Sequence, residues 1–482
     1  MSSEKHAPPA VSLPTATDPD VVSLAAEVGG RLFWPGDPAY DEACRTYNLL
    51  TPLTPAFVVN AHAAADVQAV VRFAARRGLG VAVRGGGHSV VRPTEHAVLI
   101  NLGEMKGVTV SPALRTARVV GGTLWQEVVD QVAKYDLAPL NGSSVTVGAI
   151  GFCLGGGHGP VLSRKYGYAS DHVISLDVVL ASGALRRVTA ESDPELFSAL
   201  RGSRGNLGVV TAIEIRLFPV SRFYGGGLWF PGERIADVLR VWQSWAAQLP
   251  DDFSTSLAVQ RMPDQEGVPE PMRGTFLVHV RAAYLGDEEQ GEALLFPLRV
   301  LGPTVLDTIR ETPYREVGSV HMDPLSPLPY VDRSMGLREL TPEAMERFVE
   351  LTGPDSGSPL TVVEIRALGG ALDRAPTAPD SVPSRGLPYQ LFALGLATPD
   401  RTGSMREAAD AVVEGMRRWK QNSGMVNFLT PEEATTPEGV QDAYGAERYA
   451  RLLSIKQAYD PANLFRVNHN IQPTDAPDTV TM

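Results

Sequence analysis

The sequence predicts an α+β protein whose two parts differ in character. In the first part, short valine-rich runs typical of strands alternate with amphipathic helices and glycine turns. In the second part, a long amphipathic helix over residues 233–249 precedes further apolar strands, which favours an antiparallel sheet covered by helices. At 482 residues the chain is long enough for roughly two to four domains that each bury a core.

The elements of the first part follow from the residues that begin and end them. Asp66 is placed to cap a helix running to Arg77, after which glycines lead into a strand at 81–83. Thr123 is placed to cap the next helix. Further strands are predicted at 98–102 and 116–120.

A hairpin and a capped helix complete this part. A turn at Ser182 and Gly183 separates two apolar runs, which predicts the hairpin. Asp193 is placed to cap a helix, and Pro194 fits the first helical position because its missing N–H costs nothing there. A strand over 209–217 follows.

The second part contains the predicted antiparallel sheet. Its strands are expected at residues 254–260, 276–284, 360–365 and 389–395. Its other helices are expected at 287–298, 342–351 and 403–419. Two stretches rich in proline, serine and glycine, 312–332 and 375–388, are predicted as loops, and long loops often line an active site.

Charge and cysteine content exclude several classes of protein. The formal net charge of −12, with no basic run, argues against a nucleic acid or an anionic membrane as a partner. No apolar run is long enough to span a bilayer, and residues 1–20 lack the apolar core of a signal peptide, so a cytoplasmic enzyme is expected. The two cysteines, Cys44 and Cys153, are too few for a disulfide framework.

Two glycine runs carry most of the chemical information. One covers residues 84–89 and contains His88, and the other covers residues 151–159 and contains Cys153. Three consecutive glycines let backbone N–H groups approach a phosphate or a flat ring closely, which a Cβ would prevent. A nucleophile beside such a run can reach what the run holds, so a bound cofactor with two electrophilic carbons fits best.

Three other interpretations of these residues fail. A dinucleotide-binding fingerprint needs a third glycine where the chain has Pro160 or Leu162, depending on the starting glycine. A P-loop needs a lysine directly after a glycine, and neither run has one. A metal site is not expected, because ligand spacing is lacking among His88, His96, His158 and His172.

These runs and other segments resemble the berberine-bridge-enzyme-like flavoproteins of the vanillyl-alcohol oxidase superfamily, which have a PCMH-type FAD-binding domain. Residues 202–210 match the glycine-rich stretch that lies against the flavin in that family, and residues 459–471 are close to its terminal signature. The resemblance implies a two-part FAD-binding domain of the vanillyl-alcohol oxidase type and an α+β substrate domain. The implied divisions are an N-terminal segment at 1–51, the FAD-binding domain at 52–220, the substrate domain at 221–440, and a segment returning to the FAD domain at 441–482.

The resemblance also implies that FAD is bound covalently at two points. His88 would bond to the 8α-methyl carbon of the flavin, and Cys153 to ring carbon C6. Such bonds withdraw electron density from the ring and fix it, which favours the arrival of hydride. The residues implied to contact FAD are Arg84, Gly85, Gly86, Gly87, His88, Ser89, Gly142, Ser143, Gly148, Gly151, Cys153, Gly156, Gly157, His158, Asn206, Gly208, Val209, Val210, Asn468 and Asn470.

The implied activity is the oxidation of a small molecule. Hydride would pass from a hydroxyl-, hemiacetal- or amine-bearing carbon of a sugar or secondary metabolite to FAD, and molecular oxygen would reoxidise FAD and leave as peroxide. Two alternatives stay open: an FAD-containing cyclase or isomerase with redox-neutral chemistry, and a flavin-binding protein without turnover. The sequence does not indicate the oligomeric state.

The catalytic base is the point where this chain departs from the family pattern. Met425 occupies the position of the usual tyrosine, and Arg374 falls near the position of the usual glutamate. Tyr166 and Tyr389 are the remaining candidates. A phenol with a pKa of about 10 is a poor base at neutral pH unless a cation such as Arg164 lies beside it and lowers that pKa.

Overall fold

The structure is a computed structural model that describes residues 13–89 and 93–474. Most of the stretch 1–20, on which the signal-peptide prediction rests, lies outside these residues, as does the end of the predicted C-terminal segment. Within the described ranges, no helix is both long and apolar enough to cross a membrane. The described chain forms three β-sheets.

The first sheet has four strands. Its strands are β1 (Leu32–Phe33), β2 (Phe57–Asn60), β3 (Gly80–Arg84) and β4 (Ala97–Asn101), and the accompanying helices are α1 (Pro19–Glu27), α2 (Tyr40–Cys44) and α3 (Ala64–Arg77). The strand order is β1-β2-β4-β3, with β1 antiparallel and the other pairs parallel. Asp66 is the third residue of α3 rather than its cap, and its carboxylate accepts a hydrogen bond from the backbone N–H of Ala63 (3.2 Å).

The second sheet has five antiparallel strands. They are β5 (Lys106–Ser111), β6 (Thr116–Gly121), β7 (Val173–Val179), β8 (Leu185–Val188) and β9 (Val209–Arg216), and the helices are α4 (Trp125–Val132), α5 (Ala149–Leu154), α6 (Ser163–Tyr166) and α7 (Pro194–Leu200). The strand order is β5-β6-β9-β7-β8, so β7 and β8 form the predicted hairpin. Asp193 caps α7 as predicted, since its carboxylate accepts from the backbone N–H of Leu196 (3.2 Å). Thr123 does not cap α4, because Leu124 holds that position.

The third sheet has eight antiparallel strands. They are β10 (Arg222–Pro231), β11 (Phe253–Arg261), β12 (Phe276–Tyr284), β13 (Leu306–Asp307), β14 (Arg310–Pro313), β15 (Tyr330–Leu337), β16 (Val362–Ala367) and β17 (Tyr389–Leu396). The order is β13-β10-β12-β11-β16-β17-β15, and β14 also pairs with β10. The helices that pack on it are α8 (Ile235–Ala246), α9 (Glu288–Arg299), α10 (Pro342–Thr352) and α11 (Thr402–Gly415). The predicted antiparallel sheet with covering helices is therefore confirmed.

Within the described residues, helices α8 to α11 pack on one face of this sheet. Successive side chains of a strand point to opposite faces. On β16, Val363 and Ile365 pack in the core beneath the helices. Glu364 and Arg366 point to the other face, which borders a cavity. The strand alternation thus places Glu364 and Arg366 on the face that covers the cavity.

The end of the described chain returns to the first two sheets through α12 (Pro437–Tyr444) and α13 (Ala446–Tyr459). Lys456 of α13 forms a buried ion pair with Asp460 (2.6 Å) and donates to the backbone oxygen of Asn206 (2.7 Å). Farther on, the backbone oxygen of Leu464 accepts from the N–H of Val81 in β3 (3.0 Å). The domain boundaries themselves stay a prediction.

Candidate active site

A cavity of about 830 Å³ lies between the glycine runs and the free face of the eight-stranded sheet. Its floor comes from residues 85–89 and from segments within 142–148 and 204–210. Its roof carries side chains of β11, β12, β15, β16 and β17. A cavity of this size is typical of sites that hold a cofactor or a small molecule.

The first glycine run meets the segment that precedes the second run, backbone to backbone, beneath the cavity. A Cβ on Gly86 would lie 2.5 Å from the backbone nitrogen of Gly148, so no larger residue fits there. A Cβ on Gly151 or Gly205 would meet nothing within 4 Å, because both glycines border open space. A floor of bare backbone can lie directly against a phosphate or a flat ring, and so it fits FAD.

His88 lies at the cavity wall among residues that orient its imidazole ring. Its Nε2 atom is 3.0 Å from Oγ1 of Thr146, which in turn lies 3.0 Å from Oγ of Ser144. The ring stacks on Tyr47 with the ring centroids 3.8 Å apart. Burial lowers the pKa of His88 to about 4, so the ring is neutral at neutral pH. A neutral imidazole has a free nitrogen lone pair that can bond to an electrophilic carbon.

Cys153, the second predicted attachment point for FAD, lies on helix α5, and its role stays a prediction. Cys153 and Ala149 lie four positions apart on α5, so they share a helix face, and both are buried in the core of the first part. Burial raises the pKa of the thiol, which disfavours the reactive thiolate. The neighbours Phe152 and Leu154 line the cavity, whereas Cys153 does not. The geometry therefore gives no support to a bond between Cys153 and flavin carbon C6.

Most of the other residues predicted to contact FAD line the cavity: Gly85, Gly86, Gly87, His88, Ser89, Gly142, Ser143, Gly148, Gly151, Gly157, His158, Gly208, Val209, Val210 and Asn468. Four of them do not: Arg84, Gly156, Asn206 and Asn470. Asn206 instead attaches the C-terminal segment. Its amide donates to the backbone oxygen of His469 (3.1 Å) and accepts from the N–H of Ile471 (2.9 Å).

Tyr166 and Tyr389 do not line the cavity either, and their role as the catalytic base stays a prediction. The Tyr166 ring packs on Phe218 in the core of the first part, with ring centroids 4.0 Å apart. Tyr389 shares the helix-covered face of the sheet with Leu391, because strand residues two apart point the same way. Burial raises the pKa of Tyr389, so less of its phenolate forms at neutral pH.

The two positions that depart from the family pattern lie in different surroundings. Met425 lines the cavity, whereas Arg374 is exposed and pairs with Asp251. Neither side chain can accept a proton at neutral pH. These two positions therefore supply no catalytic base.

Four buried side chains form an ion cluster on the roof. The carboxylate of Glu364 accepts hydrogen bonds from Nη1 of Arg281 (2.8 Å) and from Nε of Arg366 (2.9 Å). The Nε2 atom of His321, which belongs to the predicted loop 312–332, lies 3.3 Å from the same carboxylate. Burial by itself would raise the pKa of Glu364, but the two guanidinium groups hold it well below its usual range. Glu364 is therefore ionised, and the cluster offers both donors and an acceptor to a bound molecule.

A second roof carboxylate, that of Asp332, lacks such partners. Asp332 lies on β15, on the same face as Tyr330, and lines the cavity. No other described residue donates a hydrogen bond to its carboxylate or forms an ion pair with it. Burial and the negative charge of Glu433 raise its pKa to about 7. Near neutral pH this carboxyl group is therefore divided between its protonated and ionised forms.

Comparisons with known proteins agree with the geometry. Residues 55–189 match the FAD binding domain family, and residues 426–472 match the berberine and berberine-like family. The (R)-6-hydroxynicotine oxidase of Paenarthrobacter nicotinovorans is 29% identical over 465 residues, which cover 92% of this chain and 97% of that protein.

Solved structures share the fold over most of the chain. Physcomitrella patens BBE-like 1 superposes with a TM-score of 0.81 at 20% identity, covering 94% of this chain and 98% of that chain. A chitooligosaccharide oxidase superposes with a TM-score of 0.80 at 21% identity, covering 94% of this chain and 100% of that chain.

The fold, the glycine-lined floor and the match to an FAD-binding domain define an FAD-linked oxidoreductase. Within that class, the matches support a berberine-bridge-enzyme-like enzyme. The family, the fold class and FAD as cofactor, all predicted from the sequence, are thereby confirmed.

Proposed function

We propose that the protein is an FAD-dependent oxidase that removes hydride from a hydroxyl-, hemiacetal- or amine-bearing carbon of a sugar or secondary metabolite. Molecular oxygen is the second substrate and leaves as peroxide. The observation that carries the proposal is the ionised Glu364 cluster, which faces the glycine-lined floor across one cavity. A molecule bound between them has polar partners above it and the cofactor below it.

The names of similar proteins support these substrate classes. One relative is an oxidase of hydroxynicotine, a nitrogen heterocycle, and one structural neighbour is an oxidase of chitooligosaccharides. Both are oxidases by name, and this chain covers nearly the whole length of each. Oxidase chemistry on a small organic molecule is therefore the best-supported activity for this cavity.

We infer that FAD is attached through His88 alone. The His88 ring is neutral and borders the floor, and Nε2 is occupied by the Thr146 hydroxyl. Among the described residues none bonds to the other ring nitrogen, Nδ1, which would therefore be the atom available to the 8α-methyl carbon of FAD. Cys153 faces the core and contributes no second bond.

The roof residues bind and orient the substrate. FAD, when bound, supplies the acceptor of the hydride. The guanidinium groups of Arg281 and Arg366 carry N–H donors for a substrate oxygen, and the Glu364 carboxylate accepts from a substrate hydroxyl. Apolar roof side chains such as Phe392 and Leu394 keep water from the reacting carbon.

Anaerobic mixing tests this proposal. The purified yellow protein is mixed without oxygen with 6-hydroxynicotine, D-glucose or chitotetraose, and the flavin absorbance is followed. At least one probe is expected to bleach the flavin, and admission of oxygen is expected to restore the colour and release hydrogen peroxide. Product formation while the flavin stays yellow favours the redox-neutral alternative. Failure of every probe to bleach the flavin contradicts the proposal for these substrate classes.

A further inference from the structure

We propose that Asp332 is the catalytic base, which accepts the proton of the substrate hydroxyl or amine as hydride leaves the adjacent carbon. This inference rests on the proposed function and assigns a residue to its proton-transfer step. The O–H or N–H bond of the substrate breaks, its proton moves to a carboxylate oxygen of Asp332, and its electron pair forms the new double bond to carbon. FAD, when bound, would accept the hydride of that carbon with its two electrons.

Ring contacts locate Asp332 relative to His88. The Tyr47 ring stacks on His88 with the centroids 3.8 Å apart, and the edge of Tyr330 packs on Tyr47 with the centroids 6.4 Å apart. Asp332 follows Tyr330 by two residues on the same face of β15, which is a step of about 7 Å along the strand. Asp332 therefore lies on the part of the roof that begins near His88.

The other carboxylates that line the described cavity are less suited to accept a proton. Both oxygens of Glu364 accept hydrogen bonds from arginines, which makes Glu364 a weak proton acceptor. Glu266 is exposed, and Asp323 lies in a loop beside the exposed Met322. Asp332 is on a strand paired with β17, so its backbone is held in place while its carboxylate stays free to accept a proton.

The surroundings of Asp332 bring its pKa close to neutral pH. The charged and titratable groups that act on it electrostatically are Tyr330, Arg333, Glu432 and Glu433. Burial and the two glutamates raise the pKa of Asp332 to about 7. Arg333 opposes them, but it is itself paired with Asp410 (2.6 Å). A group with a pKa near the working pH can both accept the proton and release it afterwards.

Stopped-flow reduction of FAD by the bleaching probe, measured across the neutral pH range, tests the assignment. Because the base must be ionised, the wild-type rate is expected to rise as the pH increases through about 7. Asp332→Asn is expected to slow reduction roughly 100-fold or more and to abolish this rise. Asp332→Glu keeps a carboxylate and is expected to keep the rise at a lower rate.

A second variant tests the electrostatic cause of the rise. Glu433→Gln removes a negative neighbour, so the pKa of Asp332 is expected to fall. The increase in the rate of flavin reduction should then occur at lower pH, while the highest rate stays the same. Glu350→Gln, on the exposed surface of α10, is the matched control and leaves the profile unchanged. FAD content is measured for every variant.

The outcomes separate this inference from the proposed function. If no probe bleaches the wild-type flavin, the proposed function fails. If the wild-type protein is reduced but Asp332→Asn has the same rate and pH profile, only the assignment of Asp332 is overturned. The assignment of Asp332 is also overturned if the rate of flavin reduction still increases with pH in Asp332→Asn but no longer does so in Asp323→Asn. The base is then Asp323.

Discussion

The Thr146 hydroxyl oxygen and the Nε2 atom of His88 lie 3.0 Å apart. This contact occupies one ring nitrogen, and stacking on Tyr47 restricts rotation of the same ring. The imidazole is thus held in one orientation, and none of the described residues forms a hydrogen bond with Nδ1. Since the second predicted nucleophile, Cys153, is buried in the core, the geometry favours one covalent bond to FAD where the sequence predicts two.

Mass spectrometry of the acid-denatured chain measures this attachment. The wild-type polypeptide is expected to carry the added mass of one FAD. His88→Ala should lose that mass completely, whereas Cys153→Ala should keep it because the thiol does not reach the cavity. FAD that stays on His88→Ala, or is lost from Cys153→Ala, would contradict a single tether at His88.

Gly205 and Gly208 are expected to respond differently to substitution by alanine. A Cβ on Gly208 would lie 2.6 Å from Cγ2 of Val178 and 2.8 Å from the backbone oxygen of Val179, whereas one on Gly205 meets nothing within 4 Å. Gly208→Ala should lower the free energy of unfolding by about 1–3 kcal/mol. Gly205→Ala should leave it nearly unchanged and lower only the FAD content, because its Cβ enters the cavity.

Urea unfolding and flavin absorbance per chain distinguish these two glycines. Equal losses of unfolding free energy in both variants would show that the packing against β7 does not decide the effect.

Glu364→Gln is expected to destabilise the protein by about 3–5 kcal/mol at neutral pH, because it leaves two buried guanidinium groups without their carboxylate. The pKa of Glu364 is depressed in the folded state, so its stabilising effect is present above its unfolded value of about 4.3 and is lost as the pH falls through the folded value. The difference from wild type should therefore shrink in acid.

Urea unfolding at neutral and acidic pH measures this difference. The exposed pair of Glu350 with Arg347 provides the control, and Glu350→Gln should change the free energy of unfolding by less than about 1 kcal/mol. An effect of Glu364→Gln as small as that control would mean that the cluster contributes little to stability.

Tyr166→Phe and Tyr389→Phe are expected to reduce FAD at the wild-type rate. Neither hydroxyl borders the cavity, so its loss removes no contact to substrate. Anaerobic stopped-flow with the bleaching probe measures the rate. A fall of roughly 100-fold in either variant, the scale of a lost general base, would contradict the placement of that residue.

Turn and helix-cap residues in the sequence were sufficient to predict the hairpin and the helix that they begin or end. The turn at Ser182 and Gly183 produces the β7–β8 hairpin, and Asp193 caps α7 through its own carboxylate. The helix starts near Asp66 and Thr123 were misplaced by one to three positions, because neighbouring residues hold the cap positions. Such short-range signals depend on residues close in the chain, so a single sequence carries them well.

The roof cluster could not be predicted in the same way. Its members come from distant segments, and strand register brings them together, since Arg281 and Arg366 both pair with Ser256 of β11. One signal was available: Glu364 and Arg366 alternate with apolar residues within a strand. Asp332 was hidden because its strand β15 begins inside the predicted loop 312–332.

The prediction for Cys153 rests on a signal of a different kind. A glycine run indicates where the backbone can approach a ligand, but it does not indicate which way a neighbouring side chain points. That direction is decided by helix α5, which turns Cys153 toward the core together with Ala149.

A deuterium isotope effect on flavin reduction tests the central claim most directly. The bleaching probe is supplied in ordinary form and with deuterium at the carbon that is oxidised, and the rate of anaerobic bleaching is compared. Because hydride is proposed to pass from that carbon to FAD, the deuterated probe should bleach the flavin several-fold more slowly. Two results would contradict hydride transfer to FAD in this cavity. One is that both probes bleach the flavin at the same rate when flavin reduction is the slow step, and the other is that product forms while the flavin stays yellow.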